Sequence, residues 1–472
     1  GQEVGKHRGG YTSFYFDVTD ALREGSNVIC VYAEDDTRSP LQASGKQSDK
    51  YASYGCFYTR TTGIWQTVWM EAVEEGYVRS MRVYPNISVP SVTLALRTVN
   101  AAGQTAEIAV SYEGKPMGKT SVGITSDETL CSVNLAETHL WEIGNGRLYD
   151  FTVTLSGGDK VDSYFGLREV SYSKKGMAIN GKVFFGRYIL DQGFFPDGIY
   201  TAPTAERLKQ DILDSMAMGF NGARMHEKVF EPLYLYWADK LGYLVWGEYP
   251  NWGLDCGKPL ALHAVLPEWL EAMERDFSHP AIIGWCPFNE TWNNGNGDQQ
   301  IDSTLSGIYF ATKAYDSTRP CIDTSGNFHV TFDIYDVHDY EQDPEKFRDH
   351  FAGAAKGCVF DTIARSYESY RQHYDPKDPL FVSEYGGIAW VMEEDKKAWG
   401  YGASVKTEEE FLARLKGLTD VLLDSPDVIG LCYTQLTDVE QEQNGLLTYD
   451  RRFKFPAETI YPIFSRKAKI EE

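Results

Sequence analysis

Residues 279–290 read HPAIIGWCPFNE, and residues 379–387 read PLFVSEYGG. In each stretch a short apolar run typical of a buried strand ends at one glutamate, Glu290 or Glu384, close to residues that turn the chain. If both strands belong to one parallel barrel, both carboxylates project from its C-terminal rim. This rim is where barrel enzymes place their active sites, so the pair predicts a catalytic centre.

Two carboxylates that face one bond suit glycoside hydrolysis, whereas either glutamate alone would be explained by a cap on the following helix. Asn289-Glu290 follows an HP-x-I-x-x-W run, and Ser383-Glu384-Tyr385-Gly386 follows the second apolar run. Both resemble the motifs of glycoside hydrolase family 2, the family of β-galactosidases, β-glucuronidases and β-mannosidases. The resemblance implies that Glu290 is the acid/base and Glu384 the nucleophile of a retaining mechanism. A carboxyl separation of about 5–5.5 Å is therefore expected.

The sequence from residue 171 to residue 472 alternates between strand-like and helix-like segments, as in a parallel (β/α)8 TIM barrel. Eight strands are predicted, at Val183–Leu190, Gly222–His226, Tyr243–Gly247, Ile282–Pro287, Cys321–Thr324, Ile334–Val337, Leu380–Ser383 and Ile429–Thr434. Glu290 then follows the fourth strand and Glu384 ends the seventh. The fifth and sixth units have the least regular pattern.

Two further domains are predicted before the barrel. Residues 1–75 contain alternating segments at 11–18, 27–33 and 64–70, which indicate antiparallel strands. Their motifs resemble the C-terminal part of the family's sugar-binding jelly roll, so an N-terminally incomplete chain is expected. Residues 76–170 predict an immunoglobulin-like β-sandwich with a spacer role. The predicted fold class is multidomain: a partial jelly-roll β-sandwich, an immunoglobulin-like β-sandwich and a TIM barrel.

The resemblance also implies substrate-binding residues around the pair. Asn289 is expected to hold the 2-hydroxyl of the sugar, and Arg224 is expected to support the nucleophile. His226 follows in an Arg-x-His spacing where many members have Arg-x-x-His, so a core histidine is its alternative. His338 and Tyr340 close the sixth predicted strand, and Tyr340 is a candidate to hydrogen-bond the nucleophile, with an ordinary loop tyrosine as its alternative.

The substrate prediction rests on departures from the family pattern. Its β-glucuronidases carry an Asn-x-Lys pair in the eighth βα loop, whereas residues 443–451 read QNGLLTYDR. Without that cation a neutral sugar is favoured, although Arg60, or another basic residue of the aromatic loop at 47–62, is an alternative source. Gln435, after the eighth predicted strand, is a further sugar-binding candidate. The magnesium site of the large β-galactosidases does not carry over, and no metal or cofactor is predicted.

Composition limits the other function classes. The chain has 45 Lys and Arg against 68 Asp and Glu, a net charge of −23 that repels nucleic acid. No apolar run is long enough to predict a membrane span. Aromatic residues make up 14% of the chain, which suits either sugar binding or a large β-rich core. The eight scattered cysteines are predicted to be reduced, a weak indication of a cytoplasmic location.

The leading prediction is a retaining exo-β-glycosidase, specifically a β-galactosidase, acting on a carbohydrate substrate. A β-glucuronidase or β-mannosidase using the same pair is the alternative among enzymes. An inactive glycan-binding relative is the alternative from another class. Both glutamates and Asn289 argue against it, because a binding site gains nothing from two carboxylates that repel each other. The aglycone and a homo-oligomeric state are left open.

Overall fold

The structure of the protein, a computed structural model, describes residues 1–291, 300–326, 328–360, 374–391 and 398–472. Three parts follow one another along the chain. A largely irregular N-terminal segment precedes a two-sheet antiparallel unit, and a parallel sheet with surrounding helices completes the chain.

The N-terminal segment, residues 1–75, differs from its prediction. All of it is described, and it contains isolated bridges and one 3₁₀ turn, Thr19–Ala21, but no strand. The three strands predicted here are therefore wrong. A strand needs backbone partners and cover for its apolar face, and Val28, Tyr32 and Trp69 instead remain 83%, 86% and 67% exposed. The jelly-roll assignment stays a prediction.

Part of this segment nevertheless packs on the parallel sheet. We call residues 44–60 the rim loop. The backbone amide of Ser44 donates to the Trp252 carbonyl at 2.8 Å, and the Tyr58 hydroxyl donates to Glu442 Oε2 at 2.7 Å. Tyr58 is fully buried by this contact. The rim loop thus joins two loops at the C-terminal end of the sheet.

The second part contains seven antiparallel strands in two sheets. The strands are β1 Tyr77–Asn86, β2 Ser91–Val99, β3 Thr105–Tyr112, β4 Lys115–Gly123, β5 Glu128–Asn134, β6 Tyr149–Leu155 and β7 Lys160–Phe165. One sheet has the order β1-β2-β5 and the other β4-β3-β6-β7. Alternate residues such as Ala106, Ile108 and Val110 of β3 point inward. The two sheets enclose an apolar core of their own.

The third part begins with a small antiparallel sheet and continues into the parallel one. The small sheet comprises β8 Val170–Ser173, β9 Gly176–Ile179 and β10 Lys182–Phe184. The parallel strands are β11 Gly186–Asp191, β12 Gly222–Met225, β13 Leu244–Glu248, β14 Ile282–Cys286, β15 Tyr335–Asp339, β16 Leu380–Gly386 and β17 Val428–Thr434. Their order is β14-β13-β12-β11-β17-β16-β15, and every residue in them is buried. This curled sheet fits a TIM-barrel-type fold.

Helices follow most of the parallel strands. They are α1 Ala205–Ala217, α2 Pro232–Leu241, α3 Leu260–Asp276, α4 Asp302–Tyr315, α5 Pro344–Phe351, α6 Glu408–Leu423 and α7 Ala457–Phe464. Short 3₁₀ turns lie at Ala354–Lys356 and Lys469–Glu471. Thr204 and Thr407 cap α1 and α6 by accepting backbone N–H groups. None of the helices in the described ranges combines the length and apolar character that crossing a membrane would need.

Two predicted strands differ from the structure. The first, Val183–Leu190, is divided between β10 and β11, which belong to different sheets. The fifth, Cys321–Thr324, forms no ladder strand. Residues 321–325 occupy that position through single bridges, of Cys321 with Trp285 and of Ser325 with Asn289. The Asp323 carboxylate accepts backbone N–H groups locally, which favours a turn over an extended strand. We call residues 321–325 the seam, because they lie where the ladder between β14 and β15 is interrupted.

Candidate active site

The structure brings the two predicted catalytic glutamates together at the C-terminal end of the parallel sheet. Glu384 lies in β16, and Glu290 lies four residues after the end of β14. One oxygen of each and a ring nitrogen of His338 all lie within 4.8 Å of one another. The Glu384 side chain is 5% exposed and that of Glu290 is 11% exposed. Both are therefore largely withdrawn from solvent.

Glu384 is held by two donors and lies close to a third group. Its Oε1 accepts from Arg224 Nη1 at 2.8 Å, and its Oε2 accepts from the Tyr340 hydroxyl at 2.5 Å. His338 Nδ1 lies 3.3 Å from Oε2. Burial alone would raise the pKa of Glu384, but the charges of His338 and Arg224 outweigh it and hold the pKa at about 2. The carboxylate is therefore ionised at neutral pH.

Arg224 connects the nucleophile candidate to its surroundings. Its Nε donates to Glu248 Oε2 at 2.6 Å, and its Nη2 donates to Asn289 Oδ1 at 2.6 Å. Burial alone would lower the pKa of Arg224, but the neighbouring Glu248 and Glu384 carboxylates raise it well above its usual value. Glu248 was not among the residues predicted for the site. Its position at the end of β13, equivalent to other strand-end residues of the site, was the signal that could have found it.

Glu290 has an unusual backbone conformation. Its φ is 49°, its N–H donates to the Ser325 carbonyl at 2.8 Å, and its Oε1 lies 2.7 Å from His338 Nδ1. Gly326, with a φ of +109°, packs against both side chains. A Cβ at Gly326 would lie 3.1 Å from His338 Nδ1 and 3.4 Å from Glu290 Cγ. A side chain at position 326 would therefore press on the histidine that lies between the two carboxylates.

Asn289 is fixed by its neighbours except at one group. Its N–H donates to Asn251 Oδ1 at 2.6 Å, and its carbonyl accepts from Asn251 Nδ2 at 3.0 Å. Its Oδ1 accepts from Arg224, whereas its buried Nδ2 has no acceptor among the residues that the structure describes. A buried donor of this kind is costly unless a ligand or water satisfies it. The group thus suits contact with a hydroxyl of a bound molecule.

His226 lies on the same side of the site. Its Nδ1 is 3.0 Å from Glu248 Oε1 and 3.9 Å from Glu384 Oε1. Burial, with the charges of Lys46 and Arg224, lowers the pKa of His226 well below its usual value. The ring is therefore neutral at physiological pH, next to the nucleophile candidate.

Two other predicted residues are engaged elsewhere. Gln435 is fully buried; its Oε1 accepts from Gln192 Nε2 at 2.9 Å, and its Nε2 donates to Asn444 Oδ1 at 2.8 Å. Arg60 Nη1 donates to Thr37 Oγ1 at 2.7 Å within the N-terminal segment. The structure therefore gives both side chains structural partners, and their predicted contact with a sugar stays a prediction.

A buried polar network next to Glu290 and Glu384 was not predicted from the sequence. Asp336 of β15 accepts from Ser325 Oγ at 2.5 Å and from Ser383 Oγ, and its Oδ1 lies 3.0 Å from His329 Nε2. Burial alone would raise the pKa of Asp336, but the bonded and charged His329 lowers it. This network connects the seam to β15 and β16. Ser325, His329 and Asp336 share no recognisable motif, and Ser383 lies 47 residues beyond Asp336, so no local signal predicted the network.

Among the residues that the structure describes, one group has side chains placed to ligate a metal ion: Glu290, His338 and Glu384. Arg224 Nη1, at 2.8 Å from Glu384, already supplies a fixed positive charge there and would repel a second cation. The chemistry of this group fits an organic substrate better than a metal. That the site needs no metal or cofactor stays a prediction.

Comparison with known proteins supports the family suggested by the sequence motifs around Glu290 and Glu384. Residues 76–168 match the family model for glycosyl hydrolases family 2. A β-galactosidase of Thermoanaerobacterium thermosulfurigenes is 25% identical over 367 residues, which cover 73% of this chain and 49% of that protein. A putative β-glucuronidase of Formosa agariphila is 24% identical over 417 residues, which cover 83% of this chain and 47% of that protein. The chain thus spans about half the length of the curated relatives it matches.

Solved structures show the same fold. A β-glucuronidase of Bacteroides uniformis aligns with a TM-score of 0.67 at 19% identity, covering 85% of this chain and 53% of that one. A β-glucuronidase from Ruminococcus gnavus aligns with a TM-score of 0.66 at 18% identity, covering 83% of this chain and 68% of that one. The family match over residues 76–168 and the named relatives support the resemblance of this chain to glycoside hydrolase family 2.

Proposed function

We propose that this chain carries the catalytic centre of a retaining exo-β-glycosidase that removes terminal β-linked sugars. The observation that carries the proposal is the spacing of Glu290 and Glu384, which have oxygens within 4.8 Å of each other. Retaining glycosidases hold their carboxyl groups about 5–5.5 Å apart, whereas inverting ones leave about 6.5–9.5 Å for a water molecule. The shorter spacing supports direct attack on the sugar.

Glu384 is the proposed nucleophile. Its ionised carboxylate attacks the anomeric carbon as the bond to the leaving oxygen breaks, which forms a covalent glycosyl-enzyme ester. Arg224 and Tyr340 hold the attacking carboxylate at 2.8 Å and 2.5 Å, so little rotation remains to be restricted during attack. The Nδ2 group of Asn289 is the proposed donor to the 2-hydroxyl, where hydrogen bonds strengthen in the transition state.

Glu290 is the proposed acid/base. It first protonates the leaving oxygen, then removes a proton from the water that hydrolyses the ester, so the product keeps its β configuration. His338, at 2.7 Å, orients the Glu290 carboxyl. The 11% exposure of the side chain suits a group that must reach both an aglycone and water.

The sugar itself is proposed more broadly. A β-galactoside is the substrate expected from the sequence, and relatives named β-galactosidase and putative β-glucuronidase support either sugar.

The domain assignment is also part of the proposal. Seven antiparallel strands in two sheets support an immunoglobulin-like sandwich for residues 76–170. The jelly-roll assignment of residues 1–75 is supported by the sequence motifs alone.

Hydrolysis of p-nitrophenyl β-galactoside, β-glucoside, β-mannoside and β-glucuronide tests the proposal, with the first-formed anomer identified by NMR. We expect turnover of at least one substrate with a β product. A 2-deoxy-2-fluoro analogue of that substrate should label Glu384, located by peptide mass spectrometry, and should not label Glu384→Gln. An α product would overturn the retaining mechanism. Binding of glycans without any turnover would favour the inactive glycan-binding alternative.

A further inference from the structure

Lys46 of the rim loop is a buried cation with an unusual environment. Its side chain belongs to a residue only 6% exposed, and its Nζ lies 3.5 Å from the centroid of the Trp252 ring. Within the described ranges, no oxygen accepts a hydrogen bond from this Nζ. By contrast, buried Lys228 donates to two backbone carbonyls, and Lys454 donates to Asp438. A buried ammonium group without an acceptor is costly unless a ligand supplies one.

The backbone holds Lys46 in place. The amide of Gly45 donates to the Trp252 carbonyl at 3.1 Å, and the Lys46 carbonyl accepts from the Tyr58 N–H at 2.7 Å. Gly45 has a φ of +56°, and a Cβ there would lie 2.4 Å from the Glu227 carbonyl oxygen. Only glycine fits this approach. The backbone position of Lys46 beside Trp252 is therefore built into the fold.

Lys46 is charged and lies among acidic groups of the site. Burial alone would lower its pKa, but the nearby Cys56, Glu290, Glu442 and Glu227 raise it. None of the three carboxylates comes within 4.0 Å, the limit for an ion pair. The ammonium group is thus close to the acid/base candidate but is not neutralised by direct contact with it.

We propose that Lys46 binds the carboxylate of a uronic acid at the non-reducing end of the substrate. The inference rests on the proposed function, because it is the sugar seated between Glu290 and Glu384 that would present this carboxylate to Lys46. A fixed, largely buried cation gives a charged hydrogen bond to an anion, and a neutral hydroxyl gains far less from it. Lys46 is therefore a specificity-determining residue.

This assignment removes the basis for expecting a neutral sugar. That expectation came from the missing lysine in residues 443–451, next to Glu442. Tyr58 connects Lys46 to Glu442, because its N–H donates to the Lys46 carbonyl and its hydroxyl donates to Glu442 Oε2. A cation thus comes close to this carboxylate from a distant part of the sequence. Arg60, the cation considered from sequence, donates instead to Thr37. A galacturonide and a glucuronide both satisfy the inference, and the configuration at C4 is decided by the substrates tested.

The test compares charged and neutral sugars in the full chain. The substrates are the p-nitrophenyl β-glucuronide and β-galacturonide, each paired with its neutral 6-hydroxymethyl counterpart. The wild-type protein should prefer one of the uronides by kcat/KM. In Lys46→Met, the fall in kcat/KM should be at least about 30-fold larger for that uronide than for its neutral counterpart, the loss typical of removing one partner of a buried charge pair.

Two variants serve as controls. Lys50→Met removes another lysine of the rim loop, whose Nζ lies 3.4 Å over the Tyr54 ring but whose side chain is exposed. It should leave the ratio between uronide and neutral sugar unchanged. Lys46→Arg keeps the charge and should keep the uronide preference. If Lys46→Met does not fold, inhibition of the wild type and of Lys46→Arg by free uronic acid against the neutral sugar gives the same comparison.

The outcomes separate this inference from the function on which it rests. Equal losses for both sugars in Lys46→Met would show that the lysine only balances the surrounding carboxylates, and the inference would be wrong. A wild type that prefers neutral sugars would also overturn it and leave the glycosidase proposal intact. Equal inhibition of the wild type by uronic acid and by the neutral sugar would likewise overturn the inference and leave the glycosidase proposal intact. No turnover of any glycoside would instead overturn the proposed function.

Discussion

The two glutamates of the site have different surroundings although they lie side by side. Glu384 is part of a strand, is 5% exposed and accepts from Arg224 and Tyr340. Glu290 lies in the turn after β14 with a φ of 49°, is 11% exposed and contacts His338. A nucleophile must stay ionised, whereas an acid/base must change its protonation state twice in each cycle. The fixed charges around Glu384 and their smaller number at Glu290 suit this division.

The largest effect on activity is expected from replacing Glu384, the carboxylate that its neighbours keep ionised. Glu384→Gln should lower kcat by at least about 10⁴-fold for every aglycone, because no other described side chain is placed to form the ester. Steady-state hydrolysis of a series of aryl glycosides measures it. Glu345→Gln, an exposed glutamate of α5, is the matched control and should retain full activity. Residual activity close to wild type in Glu384→Gln would contradict the nucleophile assignment.

Glu290→Gln should produce a loss that depends on the leaving group. Poor leaving groups need protonation, so their kcat/KM should fall by about 10²–10⁴-fold, while activated aryl glycosides should lose little in the first step. The glycosyl-enzyme should then accumulate, and azide should accelerate its turnover because azide attacks without a general base. Plotting log kcat/KM against the pKa of the leaving group measures the effect. An equal loss for all aglycones would contradict the acid/base role.

A smaller effect is expected from removing the Tyr340 hydroxyl, which donates to the proposed nucleophile Glu384. Tyr340→Phe removes a hydrogen bond to a charged group, which corresponds to a loss of about 10- to 100-fold in kcat. The same bond lowers the pKa of Glu384, so its removal should move the acidic limb of the pH profile to higher pH. Tyr385→Phe is the control, since the Tyr385 hydroxyl contacts Thr419 instead. Identical acidic limbs in both variants would argue against the Tyr340 contact.

The smallest effect concerns stability. The pKa of Glu384 is about 2 in the folded protein against a usual 4.5, so its ionised form stabilises the fold fully above about pH 4.5. That stabilisation is lost as the pH falls toward 2. The free energy of unfolding of the wild type should fall between pH 7 and pH 3 partly because this stabilisation is lost. In Glu384→Gln, which lacks the ionisable group, the fall over the same range should be about 2 kcal/mol smaller. Urea unfolding at the two pH values measures it, and equal decreases would contradict the low pKa.

Most of the pair's immediate contacts were expected from the family resemblance, and their positions share one local signal. Arg224, Tyr340 and Glu384 each lie in or just after an apolar strand, and parallel strands direct such residues to one rim. Glu290 and Asn289 follow the same rule. The seven strands of the parallel sheet were predictable for the same reason, apart from the division between β10 and β11.

Other features depend on contacts that no local pattern encodes. Lys46 packs on the ring of Trp252, some 200 residues later in the chain, because the rim loop folds against the parallel sheet. The amide chain that engages Gln435 links side chains from three separate segments. The alternation of residues 27–33 indicated a strand, but alternation shows a preference and supplies no partner strand. Tertiary contacts decided each of these cases.

The seam has a consequence for motion. Elsewhere in the parallel sheet, local opening must break a continuous backbone ladder, but between residues 321–325 and β15 it must break mainly side-chain bonds to Asp336. Amide hydrogen exchange should therefore be faster along the seam and the facing edge of β15 than in β12 or β16. Because the Glu290 N–H is bonded to the Ser325 carbonyl, we expect each such opening to move Glu290 as well.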